Sequence, residues 1–244
     1  MSPYQKSLEE LRQMPGLGQI LSGNPIRGAS GGLKEITSFS TLNNLLVLKN
    51  LCAHLQPQTS LEIGMAFGGS TLLLAELYRR RQVPAARQHV AIDPFQNQPD
   101  HWDGVALKLL QETGLREYVE HREDRSCQAL PQMMKEGKKF DLIYIDGSHL
   151  FEDVFVDYYF CQRLLRPNGL LLFDDCTDPH VAKVIRFIRR NGATTLQEKD
   201  LLPFRPGTHA LRYRLARRLG KLQLRGFSKI GEDERRWNAP LVPF

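Results

Sequence analysis

The sequence predicts an α/β fold: a doubly wound, mostly parallel sheet of seven strands with an antiparallel last strand and helices on both faces. Two observations predict it. Short apolar runs alternate with amphipathic segments from residue 60 to residue 191, the pattern of repeated strand–helix units. Several of the apolar runs end in acids, at Asp93, Asp146 and Asp174–Asp175. Ligands in such sheets sit beyond the carboxyl ends of the strands, so these acids mark the edge where a site is expected.

The elements follow in order. Residues 1–33 open with a short helix, SLEELRQM, and continue as the Gly/Ser/Pro-rich stretch GLGQILSGNPIRGASGG, a composition that suits a lid-like loop. Leu45, Leu46, Leu48, Leu51 and Leu55 recur near helical spacing and predict a helix over roughly 41–55. SLEIG (60–64) is a strand and STLLLAELYRR (70–80) a helix; HVAID (89–93) is a strand and GVALKLLQETG (104–114) a helix. A third strand, YVEHRE (118–123), leads into the crossover CQALPQMMKEG. FDLIYID (140–146) is almost continuously apolar, as a strand covered on both faces is. Phe151, Val154, Phe155, Tyr158, Cys161 and Leu165 share one face of a helix over 150–165. After a turn at Pro167-Asn168-Gly169, GLLLFDD is the fifth strand and HVAKVIRFIRRNG a helix stopped by Gly192. ATTLQEKDLLPFRPGTHALRYRL reads as two strands joined by a Pro/Gly loop, an antiparallel pair. The expected organisation is an N-terminal helix and loop (1–34), a main domain (35–215) and a basic tail (216–244).

Composition narrows the class. A chain of 244 residues with 41% hydrophobic and 25% charged residues suits one domain with a real core. MSPYQKSLEELRQ lacks the apolar stretch of a signal peptide, and no apolar run approaches the ~20 residues of a membrane span. Cys52, Cys127, Cys161 and Cys176 form no CxxC pair and read as reduced core thiols in a cytoplasmic protein. The net charge of +6 is uneven: Arg205 to Arg236 holds ten Lys/Arg against Glu232, Asp233 and Glu234. Such a stretch suits nucleic acid, anionic lipid headgroups, an acidic substrate or simply a solvated helix.

The turn Glu62-Ile63-Gly64-Met65-Ala66-Phe67-Gly68-Gly69-Ser70 is glycine-rich. A dinucleotide fingerprint wants a middle glycine for close approach to pyrophosphate. Here Ala66 and bulky Phe67 stand instead, which favours a ligand without phosphate. Asp93, at the end of the second strand, stands where nucleoside-binding sheets accept from ribose hydroxyls, although an Asp at a strand end could equally be a turn residue. Asp146, Asp174 and Asp175 come from strands that should be neighbours. Three converging carboxylates raise one another's pKa values, and a divalent cation relieves this. Oxygen ligands suit Mg²⁺, whereas zinc recruits His or Cys. Acids at strand ends also cap helices, and Ser148 is a candidate N-cap.

ExGxxxGGST, VAIDPF, IDGSHLFEDV and LLRPNGLLLFDD, in this order, resemble class I S-adenosylmethionine-dependent methyltransferases over roughly residues 35–215. The turn is similar to that of catechol O-methyltransferases, and the paired acids resemble those of metal-dependent macrolide-sugar O-methyltransferases. The resemblance implies a Rossmann-like fold. It implies that Glu62, Gly64, Ala66, Phe67, Gly68 and Ser70 hold the methionine half of S-adenosyl-L-methionine, Asp93 its ribose and Ser126 its adenine. It implies Mg²⁺ on Asp146, Asp174 and Asp175, with Asp146 and His149 catalytic; His149 stands where the catechol enzymes carry a lysine base and would take the hydroxyl proton. The expected reaction is methyl transfer to a hydroxyl of a small molecule or sugar. Methylation of nucleic acid through the basic tail and a non-catalytic binding scaffold are the alternatives. Residues 24–37, 96–104 and the tail WNAPLVPF are the expected acceptor selectors, and Trp237 and Phe244 pack either on the body or on a second subunit of a homodimer.

Overall fold

In the computed structural model, which describes residues 2–84, 88–207 and 210–244, the chain begins with α1 (Pro3–Arg12) and α2 (Leu17–Leu21). Leu11, Met14, Leu17 and Ile20 of this region are buried in the core. A small hairpin of β1 (Ile26–Arg27) and β2 (Leu33–Lys34) follows. The stretch expected as a loose lid is tied down: Ala29 N–H donates to the Asp103 carbonyl at 2.6 Å and Ser30 N–H to the Asp103 carboxylate at 3.0 Å.

The alternating part comprises α3 (Leu42–Leu55), β3 (Ser60–Ile63), α4 (Gly69–Arg80), β4 (His89–Ile92), α5 (Val105–Glu112), β5 (Val119–Arg122), α6 (Ser126–Lys135), β6 (Phe140–Ile145), α7 (Phe151–Leu164), β7 (Leu165–Phe173) and α8 (Pro179–Asn191). β8 (Leu196–Lys199), α9 (Ala210–Arg218) and β9 (Arg225–Lys229) complete the chain. The seven strands lie in the order β5-β4-β3-β6-β7-β9-β8. β3 to β7 are parallel, and β9 runs antiparallel to both β7 and β8. The chain winds outward from β3 to β5 and then returns to place β6 on the other side of β3. The switch point is therefore the gap between β3 and β6. Alternation along β6 feeds two cores: Leu142 and Tyr144 pack with α3, α4 and α5, and Ile143 and Ile145 with α6, α7 and α8.

The C-terminal region departs from the expectation. The sheet and its antiparallel end are as expected, but the strand expected over HALRYRL is the helix α9; Thr208 and His209 lie outside the described residues, as do residues 85–87 in the loop before β4. Leu211, Tyr213 and Leu215 alternate like a strand, yet the segment consists mainly of Ala, Leu and Arg, strong helix formers without a β-branched residue. The partner of β8 is RGFSK, inside the segment expected as a tail. Its cations hid it from an apolar pattern, but both are buried and paired. Arg225 meets Glu198 at 2.8 Å; Lys229 meets Glu232 at 2.7 Å and donates to the Leu165 carbonyl at 3.0 Å. Cys127 is also exposed, unlike the buried Cys52, Cys161 and Cys176. Among the described residues no helix is long and apolar enough to cross a membrane.

Two outcomes follow from this packing. Because β9 lies between β7 and β8, a chain ended at residue 215 is expected to lose its cooperative thermal transition, read by circular dichroism. Asp157, on the inward face of α7, is 1% exposed, and one of its carboxylate oxygens has no partner. Burial pushes its carboxyl up to about 7, eased by the Ser126 hydroxyl. An unfolded Asp ionises near ~3.9. Between these values the native state holds a proton that the unfolded chain has lost, so this contribution to stability declines as pH rises from about 4 to about 7. Asp157→Asn is expected to flatten that slope in denaturant melts and to raise stability at pH 8.

Candidate active site

The site forms where β3, β4, β6 and β7 end. After β3 the chain turns at Gly64, whose φ is +89°, and a Cβ there would lie 2.0 Å from the Asp146 carbonyl oxygen. Only glycine allows the two strand ends to come this close. Asp146 N–H donates to the Ile63 carbonyl and Asp174 N–H to the Ile145 carbonyl, both at 2.9 Å. The sheet's own hydrogen bonding thus brings two acids side by side, one residue past β6 and β7.

Two cavities share this edge. The larger, about 490 Å³, is lined by Gly64, Ala66, Asp93, Trp102, Ser126 and Asp146, with Arg125, Cys127 and Asp153 among its other walls. The smaller, about 170 Å³, is lined by Ser40, Ser70, Asp146, His149, Asp174 and Asp175, with Gln223 also present. Asp146 and Gly147 belong to both.

Asp93 is buried and its carboxylate is crowded. One oxygen accepts from the Met65 and Ala66 amides at 3.1 and 2.8 Å, the other from the Phe95 amide at 2.8 Å and the Trp102 indole at 3.1 Å. It therefore fixes the β3–α4 turn while facing the cavity. Ala66 adopts φ +46°, a left-handed conformation usually left to glycine. Three residues expected at the donor do not line either cavity. Glu62 is fully buried and bonds Ser70, Thr71 and His89 beneath the turn. Phe67 packs edge-on against Trp102, with ring centroids 5.1 Å apart. Gly68 opens α4 where a Cβ would meet Ala106 at 2.7 Å. Gly64, Ala66, Ser70, Asp93 and Ser126 do reach the cavities.

The acids converge, and each is held by protein donors. Ser40 Oγ donates to Asp146 at 2.8 Å. Asp174 accepts from the Asn44 amide at 2.7 Å, from its neighbour's backbone at 2.8 Å and from the Tyr144 hydroxyl. Gln223 donates to Asp175 at 3.0 Å. Burial, then Asp174, pushes the Asp146 carboxyl well above the usual range, against the Ser40 bond. Burial also raises Asp174, although Tyr144 and Asn44 hold it down. Burial, with Asp146 and Asp174 alongside, raises the Tyr144 hydroxyl well above its ordinary value. His149 is half exposed, and its Nε2 lies 3.0 Å from Asp175. Ser148 does not cap α7; its hydroxyl accepts from the Leu150 amide at 3.2 Å and donates to Asp153 at 2.7 Å. Cys176 turns away, its thiol donating to the Phe173 carbonyl. Among the described residues no three His, Cys, Asp or Glu side chains are already arranged to hold a metal ion.

Ser40, Asn44, Tyr144, Trp102 and Gln223 were not singled out from the sequence. Asn44 carried a signal, a polar residue on the leucine side of its helix, and Tyr144 another, a hydroxyl within an apolar strand. Ser40 and Gln223 carried none.

Residues 61–176 match the family model described as a methyltransferase domain. The chain is 29% identical over 171 residues to a catechol O-methyltransferase of Niastella koreensis, covering 65% of this chain and 71% of that one. A crystal structure from Klebsiella pneumoniae, described as an O-methyltransferase, superposes with a TM-score of 0.57 at 27% identity, over 76% of this chain and 81% of that one. The fold is shared with an O-methyltransferase of Streptomyces achromogenes involved in tomaymycin synthesis, in complex with S-adenosylmethionine: TM-score 0.55, 21% identity, 79% and 81% covered. The switch-point cavity, the glycine turn against Asp93 and these likenesses agree: residues 61–176 match a methyltransferase domain, and the chain is similar to O-methyltransferases in sequence and in fold.

Proposed function

We propose that the chain methylates a hydroxyl of a small molecule or sugar, with the methyl donor in the larger cavity and the acceptor over the acids of the smaller one. The observation that carries this reading is the shared wall, where Asp146 and Gly147 line both cavities. A donor on one side and an acceptor on the other would meet there, and methyl transfer depends chiefly on such positioning.

The residues fit the donor. The larger cavity falls within the ~300–1,000 Å³ of small-molecule sites, and Asp93, Asp146 and Asp153 outnumber Arg125 in its walls, which suits a sulfonium cation. Asp93 accepts from ribose hydroxyls once the Trp102 indole yields its place. Ser126 stands by adenine, and Gly64 and Ala66, which line both cavities, by the methionine end, with Ser70 facing that end from the smaller cavity. The acids fit a hard divalent cation in donor chemistry. The physical sign is the raised Asp146 carboxyl, pushed up in part by Asp174, Glu62 and Asp175, a crowding that a cation relieves. Asp146, Asp174 and Asp175 would hold it.

When bound, the donor supplies an electrophilic methyl, and the cation supplies a positive centre that makes a hydroxyl more acidic. The chain supplies orientation and a base. His149 Nε2 lies 3.0 Å from Asp175, which keeps the imidazole at the edge of the acids. His149 then takes the hydroxyl proton. Ser40 and Asn44, from the segment before and within α3, hold Asp146 and Asp174 in place.

With labelled S-adenosylmethionine and a panel of catechols and glycosides, His149→Gln is expected to lower kcat by about 10²-fold or more while donor binding is kept. Asp146→Asn is expected to lower turnover at least as far, and EDTA to do the same to the unaltered chain, with Mg²⁺ restoring it. Full turnover of Asp146→Asn in chelator would exclude the metal and leave the donor site standing.

A further inference from the structure

The insert between β8 and β9 carries a helix whose outward face methyl transfer does not use. α9 is fixed on its inner side. Tyr213 is buried and its hydroxyl accepts from the Leu201 amide at 3.0 Å; the Arg205 guanidinium lies 5.5 Å from its ring centre. Arg217 points back toward Glu198 and Asp200, each at 3.9 Å. This anchoring decides what faces outward. Leu211, Leu215 and Leu219 are 81%, 55% and 58% exposed. They recur at i, i+4 and i+8, and a Leu219 N–H to Leu215 carbonyl bond of 2.9 Å continues the helix to the last of them, so the three form one stripe. At 100° per residue, Arg214 and Arg218 flank the stripe on one side and Arg212 on the other. All three arginines are exposed, Lys221 follows, and no acid occurs between residues 201 and 231.

We propose that this face docks the enzyme on an anionic lipid surface. The stripe and its flanks ask for different things. Exposed leucines need an apolar medium, and the arginines need phosphate or carboxylate at the boundary of that medium. A bilayer with anionic headgroups offers both at the required depth: the leucines enter the acyl boundary and the long cationic side chains reach back to the headgroups. Nucleic acid answers only the arginines, because three leucines gain nothing from a phosphate backbone. A second copy of the same face answers only the leucines, because it sets arginines against arginines. Gln223, which holds Asp175 in the acid-lined cavity, follows five residues after α9. Docking would therefore hold the acceptor side of the site near the lipid, an arrangement for lipid-dissolved acceptors that rests on the reading of the function above. The docking itself does not.

The test is co-sedimentation of the full chain with phosphatidylcholine vesicles, with and without about 30% phosphatidylserine. Binding is expected only to the anionic vesicles and is expected to weaken in 0.5 M salt. Leu211→Gln/Leu215→Gln should lower the partition at least tenfold, and Arg214→Gln/Arg218→Gln should lower it severalfold. These side chains are exposed, so melting temperature should stay unchanged in both variants. Three results would overturn the proposal: no sedimentation with anionic vesicles, binding indifferent to the leucine variants, or a concentration-dependent dimer that the leucine variants dissolve. Donor binding measured on the same variants keeps the two readings apart, because loss of docking with intact donor binding leaves the enzyme assignment untouched.

Discussion

Gly64 stands where the ends of β3 and β6 come so close that a single added carbon would sit 2.0 Å from the Asp146 carbonyl oxygen. That approach is what makes the switch point usable. It lets the turn after β3 lie beside the first residue past β6, so that the larger cavity and the acid-lined one share a wall. The constraint extends through hydrogen bonds. Asp93, from the neighbouring strand, accepts both the Met65 and Ala66 amides and so holds the turn open. Glu62 below accepts Ser70, Thr71 and His89, which pins the start of α4. A larger residue at position 64 would force apart the strands that deliver the acids.

The charges then decide how the site behaves. Asp174 is buried and Asp146 half-buried, and desolvation is the largest influence on both carboxyls. An isolated buried carboxylate costs far more than a hydrogen bond returns. The chain answers with donors: Ser40 on Asp146, and Tyr144 and Asn44 on Asp174. These bonds steady the geometry but only partly offset the burial, since both carboxyls stay above their ordinary range. The result is a preorganised acidic pocket, the feature on which the proposed sulfonium donor and divalent cation both depend. Asp175 is less enclosed, and it links this pocket to His149 at the mouth.

Much of this edge was legible in the sequence because β-strands in doubly wound sheets are short, apolar and covered on both faces. Their ends stand out, and Asp93, Asp146, Asp174 and Asp175 fall on them. The helix at 210–218 was hidden because Leu211, Tyr213 and Leu215 alternate at a two-residue period, while the helical spacing is carried by Leu211, Leu215 and Leu219. The strand at 225–229 was hidden because Arg225 and Lys229 look exposed until Glu198, Glu232 and the Leu165 carbonyl are seen around them. The supports of the acids were hidden for a different reason. Ser40 and Gln223 lie far along the chain from Asp146 and Asp175, and no local pattern encodes a contact across that distance. The motif also named more of the β3–α4 turn than reaches the cavities. Glu62, Phe67 and Gly68 shape the turn from below, and a consensus cannot distinguish a residue that touches a ligand from one that holds the residue that does.

A crystal structure of the chain grown with S-adenosylhomocysteine and Mn²⁺, with anomalous data, tests the central claim most directly. The account predicts the adenosine between Asp93 and Ser126, its sulfur directed toward Asp146, and an anomalous peak among Asp146, Asp174 and Asp175. A nucleoside bound elsewhere, or a well-ordered nucleoside with ordered acids and no peak among them, would contradict the account, the first in its donor site and the second in its use of the acids.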